Sequence, residues 1–189
     1  MNKTDNPTAV KSKQWIMESL VSLMENKPFK EITIREISDN AQLVRRTFYR
    51  NFSSKEDVLQ AYFNMLVKEF EDRLMELSVL TTATALRELF RLCKKYEKFL
   101  LSLKRSNMLG FMLEQWNAVL PILHSNMLDK IQNFPQTSSE ETLTYILTFN
   151  VGGTFNILMK WINDGMTISL DKLSDIVNEF STNSLYKPN

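Results

Sequence analysis

Glycine and cysteine are nearly absent from this chain. Four glycines, at 110, 152, 153 and 165, and five prolines, at 7, 28, 121, 135 and 188, punctuate 189 residues. So few turn residues exclude a series of β-hairpins and favour long helices. The single cysteine, Cys93, permits no internal disulfide, and with one histidine, His124, it falls short of a zinc-ligand set. No metal and no other cofactor is expected. A glycine-rich phosphate loop is missing, as is a second histidine to serve a nucleophile as base, so the chain is not expected to be an enzyme. Glu140 and Glu141 point to different helix faces and suit a helix N-terminus rather than paired acid–base work.

A membrane segment is also lacking. The opening residues MNKTDNPTAVKSKQ are polar and contain no signal-like apolar run. The most apolar window, 143–162, is broken by Asn150, Gly152, Gly153, Asn156 and Lys160, which suits a buried helix better than a span. A cytoplasmic protein without a membrane partner is expected. With 43% apolar residues, the chain has enough hydrophobic material for a substantial core.

What the sequence does have is a concentration of charge. The formal net charge is only +1. Yet residues 40–55 contain Arg45, Arg46, Arg50 and Lys55 and no acid, within and beside the stretch AQLVRRTFYRNF at 41–52. A local positive field of this kind suits a partner carrying phosphates. The bland alternative is a solvated basic face, and only the surrounding helix pattern separates the two.

That pattern is specific. Trp15, Ile16, Leu20, Leu23 and Met24 recur at helical spacing over 9–26, and Asn26-Lys-Pro28 stops the helix. Thr33 and Glu36 form a predicted capping box, flanked by Ile32 and Ile37 as a hydrophobic staple. The helix it opens is expected to bury Ile34, Ile37 and Ala41. A second short helix fits 44–51, with Val44 and Phe48 toward the first helix and Arg45, Arg46, Tyr49 and Arg50 outward. Ser53-Ser-Lys-Glu56 predicts another capping box, opening a long helix with Leu59, Tyr62, Phe63, Leu66, Phe70, Leu74 and Leu77 on its apolar stripe. Three helix starts so close together suit a helix-turn-helix, whose second helix enters a DNA major groove. Arginine can read guanine or clamp phosphate, and a tyrosine hydroxyl can donate to phosphate. Lys55, in the first turn of the following helix, also falls where an anion would dock.

Residues 13–62 resemble the DNA-binding domain of the TetR family of bacterial transcriptional regulators. The matching elements are the leading amphipathic helix, ITIREISDNA at 32–41, the turn QLV, TFYRNF at 47–52 and SKEDVL at 54–59. The resemblance implies an all-α fold, with an N-terminal three-helix helix-turn-helix domain and a C-terminal helical dimerisation and effector domain. It places Thr33, Arg45, Arg46, Thr47, Tyr49 and Lys55 near DNA, and the outward Arg50 joins them. Gln42 stands where the family usually has glycine, at a cost of ~1 kcal/mol if its φ is positive. Arg45 stands where serine is common. Lys11 and Lys13 are candidates for a basic arm, against the default of a frayed terminus.

The later sequence is less explicit. Helices are expected over 86–99 (one or two), over 108–116, from Pro121 to before Pro135, from Ser138-Ser-Glu-Glu141 through Ile162 with Gly165 as stop, and after Ser169. The ending GGTFNILMKWINDGM, followed by SLDKLSDIV, resembles a TetR subgroup whose best-known member is a dihydroxyacetone-kinase operon activator. Phe90, Phe99, Met108, Met112, Trp116, Phe149, Phe155 and Met159 are candidates for lining an effector pocket, with ordinary core packing as the alternative for each. Gly152, Phe155, Ile176 and Phe180 are candidates for a dimer interface. Cys93 reads as inert core, and His124 as a surface or satisfied side chain rather than a base.

The expected organisation is a DNA-binding domain at 1–55 and a helical domain at 56–189. The expected function is a sequence-specific regulator of transcription, a homodimeric repressor on a palindromic double-stranded operator, released by a small apolar effector. A reading from another class is an all-helical interaction module, or a coactivator controlled by a protein partner.

Overall fold

A computed structural model of the protein describes residues 7–127 and 139–182. Among them are nine α-helices and no strand. These are α1 (Pro7–Met24), α2 (Ile34–Asn40), α3 (Arg45–Asn51), α4 (Lys55–Glu76), α5 (Thr82–Lys95), α6 (Glu97–Arg105), α7 (Leu109–Asn126), α8 (Glu140–Asn163) and α9 (Leu170–Thr182), with a 3-10 turn at Phe29–Glu31. The all-α expectation holds. Among the described residues, no helix is long and apolar enough to cross a membrane.

The chain divides into two compact units, Met1–Val67 with Glu97–Met108, and Lys68–Tyr96 with Leu109–Asn189. The division falls inside α4 rather than at residue 55, and α6 returns to the first unit. In that unit α1 packs on α2, α3 and α6. Its buried stripe is Ser12, Ile16, Ser19, Leu20 and Met24, and Trp15, expected on that stripe, is 48% exposed. Arg105 Nη2 donates to the Glu25 carbonyl at 2.9 Å, just past the end of α1, and the Phe99 ring meets Tyr62 edge-on at 4.8 Å.

Helix ends follow local chemistry. Thr33 and Glu36 form the reciprocal capping box of α2, and Ile32 and Ile37 are both buried. For α4 the box sits one residue later than expected. Ser54 Oγ accepts from the Asp57 amide, while the Asp57 carboxylate accepts from the amides of Ser53 and Ser54. Asp57 is one methylene shorter than glutamate and closes the turn from N3 of Ser54. Helix α2 ends in a Schellman motif, with the Leu43 amide on the Ser38 carbonyl, the Gln42 amide on the Asp39 carbonyl and Gln42 at φ 54°. Ala41 therefore lies past the helix, only half-buried.

In the second unit α5 packs on α9 and α7 on α8. Pro121 lies inside α7 instead of starting a new helix, so 109–126 form one helix where two were expected. Pro135 and Ser138 lie outside the described residues. Helix α8 starts at the Ser139 cap, which accepts from the Thr142 amide, and ends with Gly165 at φ 74°. The Cys93 thiol is buried, and desolvation pushes its pKa up to about 12, as an inert core side chain requires.

Candidate nucleic-acid interface and C-terminal cavity

Helix α3 is held by one ring and one amide. Phe48 is fully buried, and its ring meets Tyr49 edge-on at 5.6 Å and Phe52 at 6.2 Å. Asn51 Nδ2 donates to the Thr47 carbonyl at 2.7 Å and to Ser12 Oγ of α1 at 3.3 Å. On α2, the Ile37 carbonyl accepts from Ser19 Oγ at 2.8 Å, and that oxygen accepts from Asn40 Nδ2. The two short helices are thus fastened to α1 through serines set in an otherwise apolar stripe. That interruption at Ser12 and Ser19, seven residues apart, is the signal by which these positioning residues were findable in the sequence.

With Phe48 turned inward, Arg45, Arg46, Tyr49 and Arg50 face solvent, Tyr49 at 59% exposure, and Thr47 sits half-buried at their edge. None of the three guanidinium groups is engaged in an ion pair among the described residues. Three unpartnered cations and a phenol on one short helix form a surface suited to phosphate and base edges. Val44, expected to face the first helix, is instead the N-cap of α3 and 70% exposed. Its extended backbone places it before the helix, outside the four-residue helical spacing with Phe48 that the sequence suggested.

Two other expected contacts have internal occupations. The Thr33 hydroxyl is committed to the capping box. Lys55 Nζ donates to the carbonyls of Phe29, Lys30 and Ile32 at 2.8, 3.0 and 2.8 Å and lies 4.8 Å from the Phe29 ring centroid. An ammonium has three protons, and these three carbonyls use them all. The lysine therefore ties the turn preceding α2 to the start of α4. Nearby, the Lys27 ammonium and the Thr33 bonds hold the Glu36 carboxyl well below its ordinary range, at about 2.

In the C-terminal unit a cavity of about 200 Å³ opens among α4, α5, α7 and α8. Its walls are Phe70 and Leu74; Leu80, Thr81, Ala85, Leu86 and Leu89; Trp116, Leu120, Leu123, His124 and Met127; and Leu147, Asn150, Val151, Thr154, Phe155 and Leu158. Trp116 packs edge-on against Phe70, ring centroids 5.6 Å apart. Of the residues expected to line a pocket, Trp116 and Phe155 do. Phe90, Met112 and Met159 do not reach it; Phe90 is fully buried core beside Trp161. Phe99 and Met108 belong to the other unit, and Phe149 is 81% exposed. His124, expected as a surface or satisfied side chain, is not at the surface: it is buried in the cavity wall, and desolvation lowers its pKa. Of the residues expected at a dimer interface, Phe155 lines the cavity, Gly152 and Ile176 are half-buried, and the side chain of Phe180 lies outside the described residues.

A helix-turn-helix with a basic, outward second helix defines a DNA-binding protein of the transcriptional-regulator class. Residues 16–62 match the model of the bacterial regulatory proteins of the tetR family, and residues 81–183 match a transcriptional-regulator C-terminal region. The chain belongs to the TetR family. Its fold is similar to that of the dihydroxyacetone kinase operon activator DhaS, with 21% identity over 89% of this chain and 93% of that one, and a TM-score of 0.60. It is similar also to the fatty acid degradation regulator FadR from Bacillus halodurans, with 17% identity over 97% and 98% and a TM-score of 0.63. A TetR regulator from Streptococcus agalactiae shows 17% identity over 90% and 93%, TM-score 0.60. No curated protein matches the sequence.

Proposed function

We propose that the protein is a cytoplasmic homodimeric repressor that reads a palindromic operator with two copies of α3 and is released by a small apolar effector. The observation that carries this reading is the free basic face of α3, where Arg45, Arg46, Arg50 and Tyr49 project from a helix anchored by fully buried Phe48. Two such helices in a dimer would enter successive major grooves ~34–36 Å apart. For the dimer, support comes from α8, where Tyr145 and Phe149 are 72% and 81% exposed and share a helix face with Gly152. That face revises the expected interface toward Phe149 and away from Phe155. An effector in the cavity that altered the spacing of the two α3 helices would weaken DNA binding, and DNA would weaken effector binding equally.

Selection of bound duplexes from a random DNA pool, with the Arg45→Ala/Arg46→Ala double variant in parallel, tests the DNA half. One palindromic motif, lost in the variant, is expected. Salt-sensitive binding without a motif in both proteins would point to an interaction module instead. Phe149→Lys should convert the dimer to a folded monomer by light scattering. A reporter placed behind the selected operator gives the sign of control: expression rising when the regulator is deleted marks repression, and expression falling marks activation.

A further inference from the structure

We propose that the C-terminal cavity binds an uncharged, largely apolar molecule of about seven non-hydrogen atoms, its single polar group held at Asn150 and Thr154. The inference rests on reading this cavity as the effector site. Size comes from volume. A water molecule's share of liquid is ~30 Å³, so a space of about 200 Å³ admits roughly seven such atoms.

Charge comes from the walls. Among the described residues, no lysine, arginine, aspartate or glutamate lines the cavity. A carboxylate or ammonium entering it would leave water without gaining an opposite charge, which is prohibitive compared with a neutral group. The one titratable lining side chain among the described residues, His124, is buried, and its lowered pKa keeps the imidazole neutral near pH 7. It therefore offers no cation to an acid.

The polar handle comes from α8. Thr144 and Thr148 return their hydroxyls to carbonyls four residues back, at 3.0 and 2.8 Å. Thr154 makes no such bond, and neither it nor Asn150 has a side-chain hydrogen-bond partner among the described residues. At i and i+4 the two stand side by side on the cavity wall, Asn150 exposed and Thr154 half-buried. Thr81, the other hydroxyl in the lining, is occupied by its cap with Thr84. An apolar body among the leucines with a hydroxyl or carbonyl directed to Asn150 and Thr154 satisfies both of those side chains.

Three probes of one shape and different charge test this on the intact protein at pH 7: n-hexanol, hexanoate and hexylammonium, followed by calorimetry and tryptophan fluorescence. Hexanol should bind with a fluorescence change that Trp116→Phe removes while the heat remains. Both ions should bind at least about tenfold more weakly. Thr154→Val should weaken hexanol several-fold, whereas Ala85→Leu, filling the space, should abolish binding. Leu89→Phe replaces Ala85→Leu if circular dichroism shows that variant unfolded. Hexanoate binding as tightly as hexanol, no hexanol binding up to its solubility limit, or hexanol binding undiminished in a folded filled variant would each overturn the proposal. Hexanol bound as described but without change in operator affinity would uphold the ligand class and sink the effector reading.

Discussion

The two units spend their polar side chains differently. In the first, Ser12, Ser19, Asn40, Asn51 and Lys55 all bond backbone or one another across distances of 18 to 39 residues in sequence, and α3 sits on a fully buried phenylalanine. In the second, a polar cluster ties α4 to α5, where Glu69 accepts from Arg73, Lys95 and Tyr96, and an apolar space remains beside Phe70 and Leu74 on the same helix. A surface that reads DNA needs side chains held in one geometry, since displacement of an arginine by an ångström loses a bidentate contact. A cavity needs unfilled volume, and unfilled volume forfeits dispersion contacts. One unit is built for precision and the other leaves stability unused.

Truncations should expose that contrast most strongly. Phe48→Ala removes the ring that seats α3 and should cost ~3–5 kcal/mol in urea unfolding and abolish operator binding. Leu123→Ala also truncates a buried side chain, 4% exposed, but borders space that is already empty. Its cost should fall at the low end for leucine, ~2 kcal/mol. Equal losses at the two sites would mean that the cavity closes in solution.

A smaller effect separates a cation that positions from one that binds. Lys55→Met leaves three carbonyls without their donor and should cost ~1–2 kcal/mol of stability. Operator affinity should fall while the salt dependence stays as in the parent protein. Arg46→Ala should do the reverse: stability unchanged, and the slope of log affinity against log salt shallower by about 1 if the guanidinium meets phosphate. A shallower slope in Lys55→Met would return that lysine to the DNA surface.

The Glu69 cluster predicts an acid response in the second unit. Desolvation pushes its carboxyl up, but bonds from Lys95, Tyr96 and Arg73 outweigh it and bring the pKa from 4.5 to about 2. A depressed carboxyl adds stability that is complete above the unfolded value and disappears as pH falls through the folded one. Glu69→Gln should therefore lower the urea midpoint at neutral pH. The gap from the parent should narrow between 4.5 and about 2 and vanish below. A gap independent of pH would assign the loss to packing.

The same contrast governs how much could be read from the residues alone. The capping box of Thr33 with Glu36 and the inward Phe48 were legible because a cap spans three residues and an amphipathic face repeats within two turns. The Lys55 clamp was not, because its partners lie 23 to 26 residues back and carbonyls carry no residue identity. In the second unit, Phe90 and Trp116 follow the same helical pattern, yet one is core and the other lines the cavity. Periodicity tells which face is apolar; whether that face meets atoms or space is decided by other helices. Trp15 and Val44 show the limit from the other side, being apolar and regularly placed but open to solvent.

The smallest predicted effect lies in the turn between α2 and α3. Schellman ends occur after α2, α6 and α8, and the left-handed residue is Gln42 at φ 54°, Asn107 at 55° and Gly165 at 74°. Glycine adopts this region freely, asparagine tolerates it, and glutamine has neither the missing Cβ nor the short amide. Gln42→Gly should relieve the steric cost while adding freedom to the unfolded chain, leaving a net gain of ~0.5–1 kcal/mol. The substitution changes no cation and none of the bonds that fasten α3 to α1. Operator affinity should therefore stay constant as the urea midpoint rises. If affinity falls instead, the exposed Gln42 side chain itself touches DNA, and the strain in this turn is retained for recognition rather than tolerated.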